Sequence, residues 1–310
     1  MIKLANKNGF LIFLMFMGHI FLPLTFILQL IHPVHQDILA WILSIYIAAS
    51  YIALIYFTGA WSWFGKEVRY TFPALLVLTV AATYSYNHPE ITISSLATFE
   101  NVISLCVGTT FMIALVLALL GRRLGIPALE LSFPFCGGTF IIGQGGSSQL
   151  VNIHVVSPSQ RFALDILKLN SAGKRARGIY PADLKRYAIF GVEVMSPCDG
   201  IVAAAEDGFL DYSPPEQDPE HRAGNYIAIE YNGATIYLAH LMKGSVCVKP
   251  GDHICKGQVL GCVGNSGNTT EPHLHIHAEE GLYAGQFSGK PGIPIRFNGK
   301  FLVRNDHVKT

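Results

Sequence analysis

Near the C-terminus, Glu271-Pro272-His273-Leu274-His275-Ile276-His277 sets three histidines at alternating positions. In an extended strand, alternate side chains share a face. All three imidazoles would then point the same way, close enough to share a metal ion. The polar, glycine-bearing stretch Gly264-Asn265-Ser266-Gly267-Asn268-Thr269-Thr270 before them reads as a tight loop. One histidine on such a strand would be an ordinary exposed residue; the alternating triplet points to a metal site.

Metal-assisted hydrolysis needs three protein ligands and an open position for water or substrate. It also needs a group to move protons and one to steady a developing oxyanion. The further candidates are His240 in Tyr237-Leu238-Ala239-His240-Leu241, His154 in Asn152-Ile153-His154, and Asp165 in Phe162-Ala163-Leu164-Asp165-Ile166. His240 ends a β-type run and is a plausible acid–base partner for the triple-histidine strand. An acid among apolar neighbours is costly to bury unpaired, so Asp165 calls for a metal or an arginine.

These residues must be positioned by strands. Short β-type runs at 139–143, 163–169, 191–196, 201–205, 225–231, 234–241, 245–248, 259–263 and 273–278 alternate with glycine- and proline-bearing turns. That rhythm predicts an all-β domain. Pro197-Cys198-Asp199-Gly200 predicts a hairpin between 191–196 and 201–205. Asn232-Gly233, the strongest short hairpin signal, predicts another between 225–231 and 234–241. Two polar excursions interrupt the rhythm. Residues 171–190 carry Lys174, Arg175, Arg177, Lys185 and Arg186, and residues 206–221 carry Asp207, Asp211, Glu216, Asp218 and Glu220. Each is either a solvated loop or the wall of a groove.

Composition divides the chain. Hydrophobic residues make up 51% and charged residues 14% of its 310 positions, too apolar for an ordinary soluble protein. Apolar runs at 10–31, 38–58, 71–86 and 102–120 predict about four transmembrane helices, the third being the shortest. Trp41, Trp61, Trp63, Tyr70, Tyr84 and Tyr86 lie at run ends, where interfacial aromatics belong. The first run follows Lys3 and Lys7. It is too long for a signal peptide and no small-x-small cleavage site follows, so it reads as a retained helix. The expected organisation is an all-α transmembrane domain over 1–124, a linker over 125–131 containing Pro127, and the β domain over 132–310.

His19, inside the first run, is either a functional polar group or a neutral ring satisfied by a neighbouring helix. Lys3, Lys7, Lys66, Arg69, Arg122 and Arg123 flank the runs, whereas the loops 32–37 and 87–101 contain no Lys or Arg. With four spans, both termini face the cytoplasm. If the third run does not span, the C-terminal domain moves to the other side. The formal net charge of +1 gives no electrostatic case for nucleic acid. The six cysteines form no Cys-x-x-Cys pair and imply no disulfide framework.

Five segments follow one another in a recognisable order: Gly224-Asn225-Tyr226-Ile227-Ala228-Ile229, Tyr237-Leu238-Ala239-His240-Leu241, Val248-Lys249-Pro250-Gly251-Asp252, Lys256-Gly257-Gln258-Val259-Leu260-Gly261, and the run from Gly264 to His275. Together they resemble the lysostaphin-type (LytM) metallopeptidases, over about residues 133–278. The resemblance implies a mostly antiparallel LytM-like β fold with a groove, one Zn²⁺, and endopeptidase action on peptide cross-links of peptidoglycan. With the apolar runs, it implies a multi-pass protein of the bacterial cytoplasmic (inner) membrane whose partners are the lipid bilayer and wall peptide.

By position, the resemblance makes His275 and Asp165 zinc ligands. It makes His273 and His240 the pair that orients and deprotonates the attacking water and stabilises the tetrahedral intermediate. The family's first ligand is a histidine four residues before the aspartate, and here that position is Arg161. Arginine stays protonated and cannot ligate zinc. Three outcomes follow: His154 supplies the ligand, completing a His154, Asp165, His275 set; His277 supplies it; or the site is degenerate, with Arg161 paired to Asp165.

The expectation is therefore a membrane-anchored zinc metalloendopeptidase. The alternative is a non-catalytic module on the same fold that binds wall peptides or regulates another hydrolase. The segments around Lys249-Pro250-Gly251-Asp252 also resemble biotinyl- and lipoyl-type hairpins, but no lysine stands alone at a hairpin tip. Topology is in conflict: four spans put the domain in the cytoplasm, whereas wall peptides lie outside.

Overall fold

The computed structural model describes residues 2–31, 38–86, 96–285 and 289–310. Loop 32–37 and residues 87–95 of the second lysine- and arginine-free loop lie outside the described residues. The chain forms two compact units, Met1–Leu119 and Leu120–Thr310.

The first unit is helical. Helices α1 (Ile2–Phe16) and α2 (Leu22–Ile31) are joined by a π-helical turn, Met17–Phe21. Then come α3 (Ile38–Thr58), α4 (Lys66–Tyr86) and α5 (Phe99–Leu120). All four apolar runs are thus helical. Three stretches, Gly9–Ile31, Ile38–Thr58 and Phe99–Leu120, are long and apolar enough to cross a membrane. Helix α4 has the length but opens on Lys66, Glu67 and Arg69, contains Pro73 and ends in polar residues, and it is not among the three. Arg69 is buried with its guanidinium 4.2 Å from the centre of the Tyr56 ring.

His19 has a structural account. Its Nδ1 donates to the Met15 carbonyl at 2.9 Å and its Nε2 accepts the Ala60 N–H at 2.9 Å. The ring lies against Trp61 and Phe64. A neutral imidazole in the π turn therefore satisfies a backbone donor just beyond the end of α3.

The second unit is β-rich; it begins before the expected boundary at 132, and the expected linker 125–131 lies inside it, residues 129–131 forming its first strand. In chain order its strands are β1 (Leu129–Leu131), β2 (Thr139–Gln144), β3 (Leu164–Leu169), β4 (Glu193–Met195), β5 (Gly200–Glu206), β6 (Asn225–Tyr231) and β7 (Ala234–Leu241). They continue as β8 (His253–Ile254), β9 (Val259–Cys262), β10 (Leu274–Glu280), β11 (Gly292–Ile293), β12 (Ile295–Phe297) and β13 (His307–Lys309). Among the described residues, nine of them form one sheet in the order β13-β2-β3-β10-β7-β6-β5-β8, with β11 beside β10, all neighbours antiparallel. Two small pairs flank it, β4 with β9 and the parallel β1 with β12.

Alternation fixes the faces. Leu164 and Ile166 of β3, Leu274, Ile276 and Ala278 of β10, Ile236 and Leu238 of β7, and Ile227 and Ile229 of β6 fill one core. Burying each large aliphatic side chain is worth about 1.5–3 kcal/mol. A one-residue slip would move the whole set out of the core, so register is strongly held. Asp165, Tyr237, His275, His277 and Glu279 then fall on the opposite face.

The Asn232-Gly233 hairpin forms as expected, with both residues at positive φ (51° and 74°), as a two-residue turn of this kind requires. The Pro197–Gly200 hairpin does not form. Strand β4 pairs with β9, and β5 pairs with β6 and β8. Ser196 is tied to the turn before β9, its N–H donating to Gln258 O and its carbonyl accepting from Gly257 N, and this leads β4 away from β5. Nor is 245–248 a strand; its Cys247 N–H donates to Leu260 O of β9, and the Gly244 and Val246 N–H groups go to the Asp207 carboxylate instead.

At the start of this unit, Ser147 N donates to the Gly121 carbonyl at 2.8 Å. Arg122 donates to the Arg304 carbonyl and pairs with Asp306 at 2.6 Å.

Candidate metal centre

Three neighbouring strands bring the chemistry together. In the sheet, β3, β10 and β7 are adjacent, and His275 stands opposite Asp165 on one side and Ala239 on the other. His275 Nδ1 lies 3.0 Å from Asp165 Oδ1. His273, just before β10, places Nε2 3.5 Å from the same oxygen.

His154 arrives from outside the sheet. It lies on a short 3-10 turn, Ile153–Val156, with Nε2 3.0 Å from both Asp165 oxygens. The turn is pinned by the fully buried Asn152. Its Oδ1 accepts the His154 N–H at 3.1 Å, and its Nδ2 donates to the carbonyls of Gly146 and Ala163 at 3.0 and 3.1 Å. Gln144, opposite Asp165 in the β2–β3 ladder, accepts the Ile153 N–H and an Arg304 N–H through Oε1. Asn152, Gln144 and Arg304 were not legible as site residues. The Asn152-Ile153-His154 tripeptide carries the only local signal, that of an asparagine poised to bond the backbone two residues on.

His240 is aimed by a β-bulge. In the β6–β7 ladder Asn225 faces Leu241 and Tyr226 faces Ala239, so His240 is the extra residue. Its φ of +64° is uncommon for a side-chain-bearing residue. The bulge turns the imidazole toward β10, with ring centres 4.9 Å from His273 and 5.8 Å from His275. His240 Nδ1 donates to Ser266 O at 2.9 Å, and His273 Nδ1 donates to Glu271 O at 2.8 Å. A carbonyl oxygen only accepts, so both rings carry hydrogen on Nδ1 and a neutral ring keeps its lone pair on Nε2.

Two ligand groupings result, sharing His275. The donor atoms of His154, Asp165 and His275 lie within 4.8 Å of one another, as do those of His240, His273 and His275. Two imidazoles and a carboxylate are an ordinary zinc donor set. Tetrahedral zinc with bonds of about 2.0–2.1 Å separates its ligand atoms by roughly 3.4 Å. The 3.0 Å spacings around Asp165 need to open only slightly, so the residues present fit the ion.

Electrostatics single out the same residues. Burial would raise the Asp165 carboxyl, but the charges of His154 and His273 and the hydrogen bonds of His154 and His275 hold it well below the usual carboxylate range. Burial would lower His154, and the Asp165 carboxylate outweighs it to leave that imidazole raised. Burial pushes His275 down to about 3, against the hydrogen bond to Asp165. His240 is also held well below the usual range, by burial and then by the neighbouring His273 and His275.

His277 and Arg161 stand elsewhere. His277 Nδ1 faces His275 Nε2, the nitrogen turned away from Asp165, at 3.1 Å. Arg161 is exposed, its guanidinium 5.5 Å from the centre of the Phe162 ring, and no Arg161–Asp165 ion pair forms among the described residues.

Both polar excursions brace the loop leading to His273. From the first, buried Arg175 pairs with Glu271 and the Tyr180 hydroxyl donates to Thr270 O at 2.8 Å. From the second, Asp211 Oδ1 accepts Asn265 N–H at 2.6 Å and Asp218 N donates to Gly267 O at 2.9 Å.

Residues 187–286 match the family model described as peptidase family M23. The second unit carries a peptidase family M23 domain, of the LytM type. His240, His273 and His275 lie inside the matched stretch, and His154 and Asp165 lie before it. The chain is 42% identical over 116 residues to the peptidoglycan DD-endopeptidase ShyA of Vibrio cholerae, covering 37% of this chain and 26% of that protein. It is 32% identical over 117 residues to the peptidoglycan DD-endopeptidase ShyC of the same organism, covering 37% of this chain and 25% of that one. The chain thus spans about a quarter of the length of these relatives. Among solved structures, a zinc-containing peptidase from Vibrio cholerae is 22% identical, over 42% of this chain and 48% of that chain, with a TM-score of 0.25. Overlap that low says nothing about the site.

Proposed function

We propose that the M23 domain is a zinc-dependent endopeptidase domain acting on peptide cross-links of peptidoglycan, anchored by the helical unit in a bacterial cytoplasmic membrane. One observation carries the reading. His154 stands on Asp165 beside His275, where it can supply the ligand missing at Arg161. The exposure of Arg161 and the lack of an Arg161–Asp165 ion pair among the described residues weigh against a degenerate, non-catalytic module.

His154 Nε2, an Asp165 oxygen and His275 Nδ1 would hold one Zn²⁺, which when bound polarises the scissile carbonyl and acidifies water. His240 and His273 act from beside this set, with ring centres 4.9 Å apart and His273 Nε2 3.5 Å from Asp165. Their Nδ1–H groups are tied to carbonyls, so each offers Nε2 to the reacting atoms. There one ring takes the proton of the attacking water, and the N–H so formed is placed to donate to the oxygen that gains charge.

The test uses the detergent-solubilised chain, with bound zinc and hydrolysis of cross-linked wall peptides measured together. Arg161→Ala should keep wild-type zinc affinity, whereas His154→Ala should weaken it by at least about tenfold. Wild-type chain that takes up no zinc would sink the enzyme reading, and zinc retained in His154→Ala would remove His154 from the ligand set.

For topology we propose three crossings, with α4 not spanning. Counting from a cytoplasmic Lys3 and Lys7, three spans leave Lys66 and Arg69 inside and put the M23 domain outside, with the wall. Arg122 and Arg123 then count against the rule, though the Arg122 charge is met by Asp306. An alkaline phosphatase fused after Thr310 should be active, and a green fluorescent fusion at the same place dark. A bright fluorescent fusion places the domain in the cytoplasm and ends the wall-hydrolase reading.

A further inference from the structure

Strand β10 puts His275, His277 and Glu279 on one face, behind the metal cluster as well as within it. All three are buried, at 3%, 1% and 1% exposure. His275 Nε2 lies 3.1 Å from His277 Nδ1, and His277 Nε2 lies 3.4 Å from Glu279 Oε1. The His277 ring is stacked on Tyr237, centres 4.7 Å apart and planes within 6° of parallel, while the Tyr237 hydroxyl is anchored on Gly285 O at 2.9 Å. The imidazole is therefore held in one plane by packing and addressed at both nitrogens by polar partners.

We infer that His277 and Glu279 are positioning residues that set the tautomer of His275. The inference rests on the reading of His275 Nδ1 as a metal ligand. A ligating Nδ1 must be bare, which puts the ring hydrogen on Nε2. That hydrogen needs an acceptor in a buried place, and His277 Nδ1 is there. His277 must then carry its own hydrogen on Nε2, which points at the Glu279 carboxylate. The opposite arrangement, with hydrogen on Nδ1 of both rings, would leave a bare His277 Nε2 facing a carboxylate oxygen, two acceptors with nothing between them. The carboxylate at the end of the row thus favours the tautomer that frees His275 Nδ1 for the metal. Ligating histidines usually donate their second ring N–H directly to a carboxylate or carbonyl, and here a second histidine is interposed. Of the row, only His275 belongs to the two ligand groupings found among the described residues, so His277 is a support for the ligand and not its substitute.

The test is zinc affinity of the detergent-solubilised full chain, measured by competition with a chromophoric chelator, alongside ring nitrogen NMR of the zinc-loaded, histidine-labelled protein. His277→Phe keeps a stacking ring and removes the acceptor, and should lower affinity about 10–100-fold. His277→Asn presents an oxygen close to the former Nδ1 position and should recover most of that loss, which a purely steric role would not allow. Glu279→Gln, a nearly isosteric change, should fall between wild type and His277→Phe. In wild type, the His275 ring should carry its hydrogen on Nε2. Wild-type affinity in both His277→Phe and Glu279→Gln, or a His275 hydrogen on Nδ1 with zinc bound, would overturn the inference and leave the zinc-peptidase reading standing. If His277→Phe does not fold, Glu279→Gln with unchanged affinity overturns it alone. A wild-type chain that takes up no zinc overturns both.

Discussion

Asp165→Ala should abolish zinc binding at micromolar metal and take peptide hydrolysis with it. Asp165 is the hub of the cluster, in contact with His154, His275 and His273 at 3.0–3.5 Å. Zinc sites of three or four ligands bind with about 10–16 kcal/mol, so one ligand is worth on the order of 3–4 kcal/mol, or roughly 10²–10³ in affinity. The variant also removes the charge that raises the His154 imidazole above its ordinary value. The signs can be worked out for the metal-free chain. Asp165 has a depressed folded pKa. Its contribution is present above the unfolded carboxyl value, about 3.9, and is lost as pH falls through the folded one. His154 has a raised folded pKa. Its contribution is fully present below the unfolded imidazole value, about 6.5, and is lost as pH rises through the folded one. The pair therefore supports the metal-free domain best between roughly pH 4 and 6.5. Zinc must displace the His154 proton, so zinc affinity should fall on acidification. Denaturation midpoints from pH 4 to 8, with and without zinc, check both trends. Asp165→Ala should flatten the metal-free profile. Zinc retained in that variant at wild-type affinity would remove Asp165 from the ligand set.

His273→Ala and His240→Ala should leave zinc in place and lower the turnover rate by about 10²–10⁴-fold, the range for positioned acid–base groups. Neither ring sits on Asp165 as closely as His154 and His275 do, and both have Nδ1 committed to backbone carbonyls. The loss should fall on the turnover rate more than on the Michaelis constant, because a proton in motion matters in the transition state. The double variant should be little worse than the worse single one if the two rings act as a unit. The competing grouping of His240, His273 and His275 makes a distinct prediction. If His273→Ala strips zinc as Asp165→Ala is expected to, the metal lies in that grouping and the roles of His154 and His273 exchange.

Part of this site was legible along the chain because its signal is local. Alternation at i, i+2 identifies a strand and its face, and so marked His273, His275 and His277 as co-facing and Leu274 and Ile276 as core. Asn232-Gly233 specified its hairpin because a two-residue turn at positive φ needs such residues. The Pro197–Gly200 turn misled for the complementary reason. A turn permits a hairpin, but pairing goes where most backbone bonds and apolar area are satisfied, and for β5 that was β6. The third apolar run was visible as a helix, while its charged start and polar end set it apart from the three candidate spans.

From the sequence by itself came the β-rich, LytM-like domain after an apolar helical part, the histidine strand, and the problem posed by Arg161. What only the tertiary structure decided is which side chains gather around Asp165. His275 and Asp165 are 110 residues apart, and a cross-strand register makes them neighbours. His154 reaches them from a turn that Asn152 ties to residues on both sides of it. His240 is turned toward them by a bulge, and His277 by the same alternation lies behind His275, facing its other nitrogen. Ligand geometry depends on contacts between segments far apart in the chain, and spacing along one segment fixes only which face a side chain takes, not what meets it there.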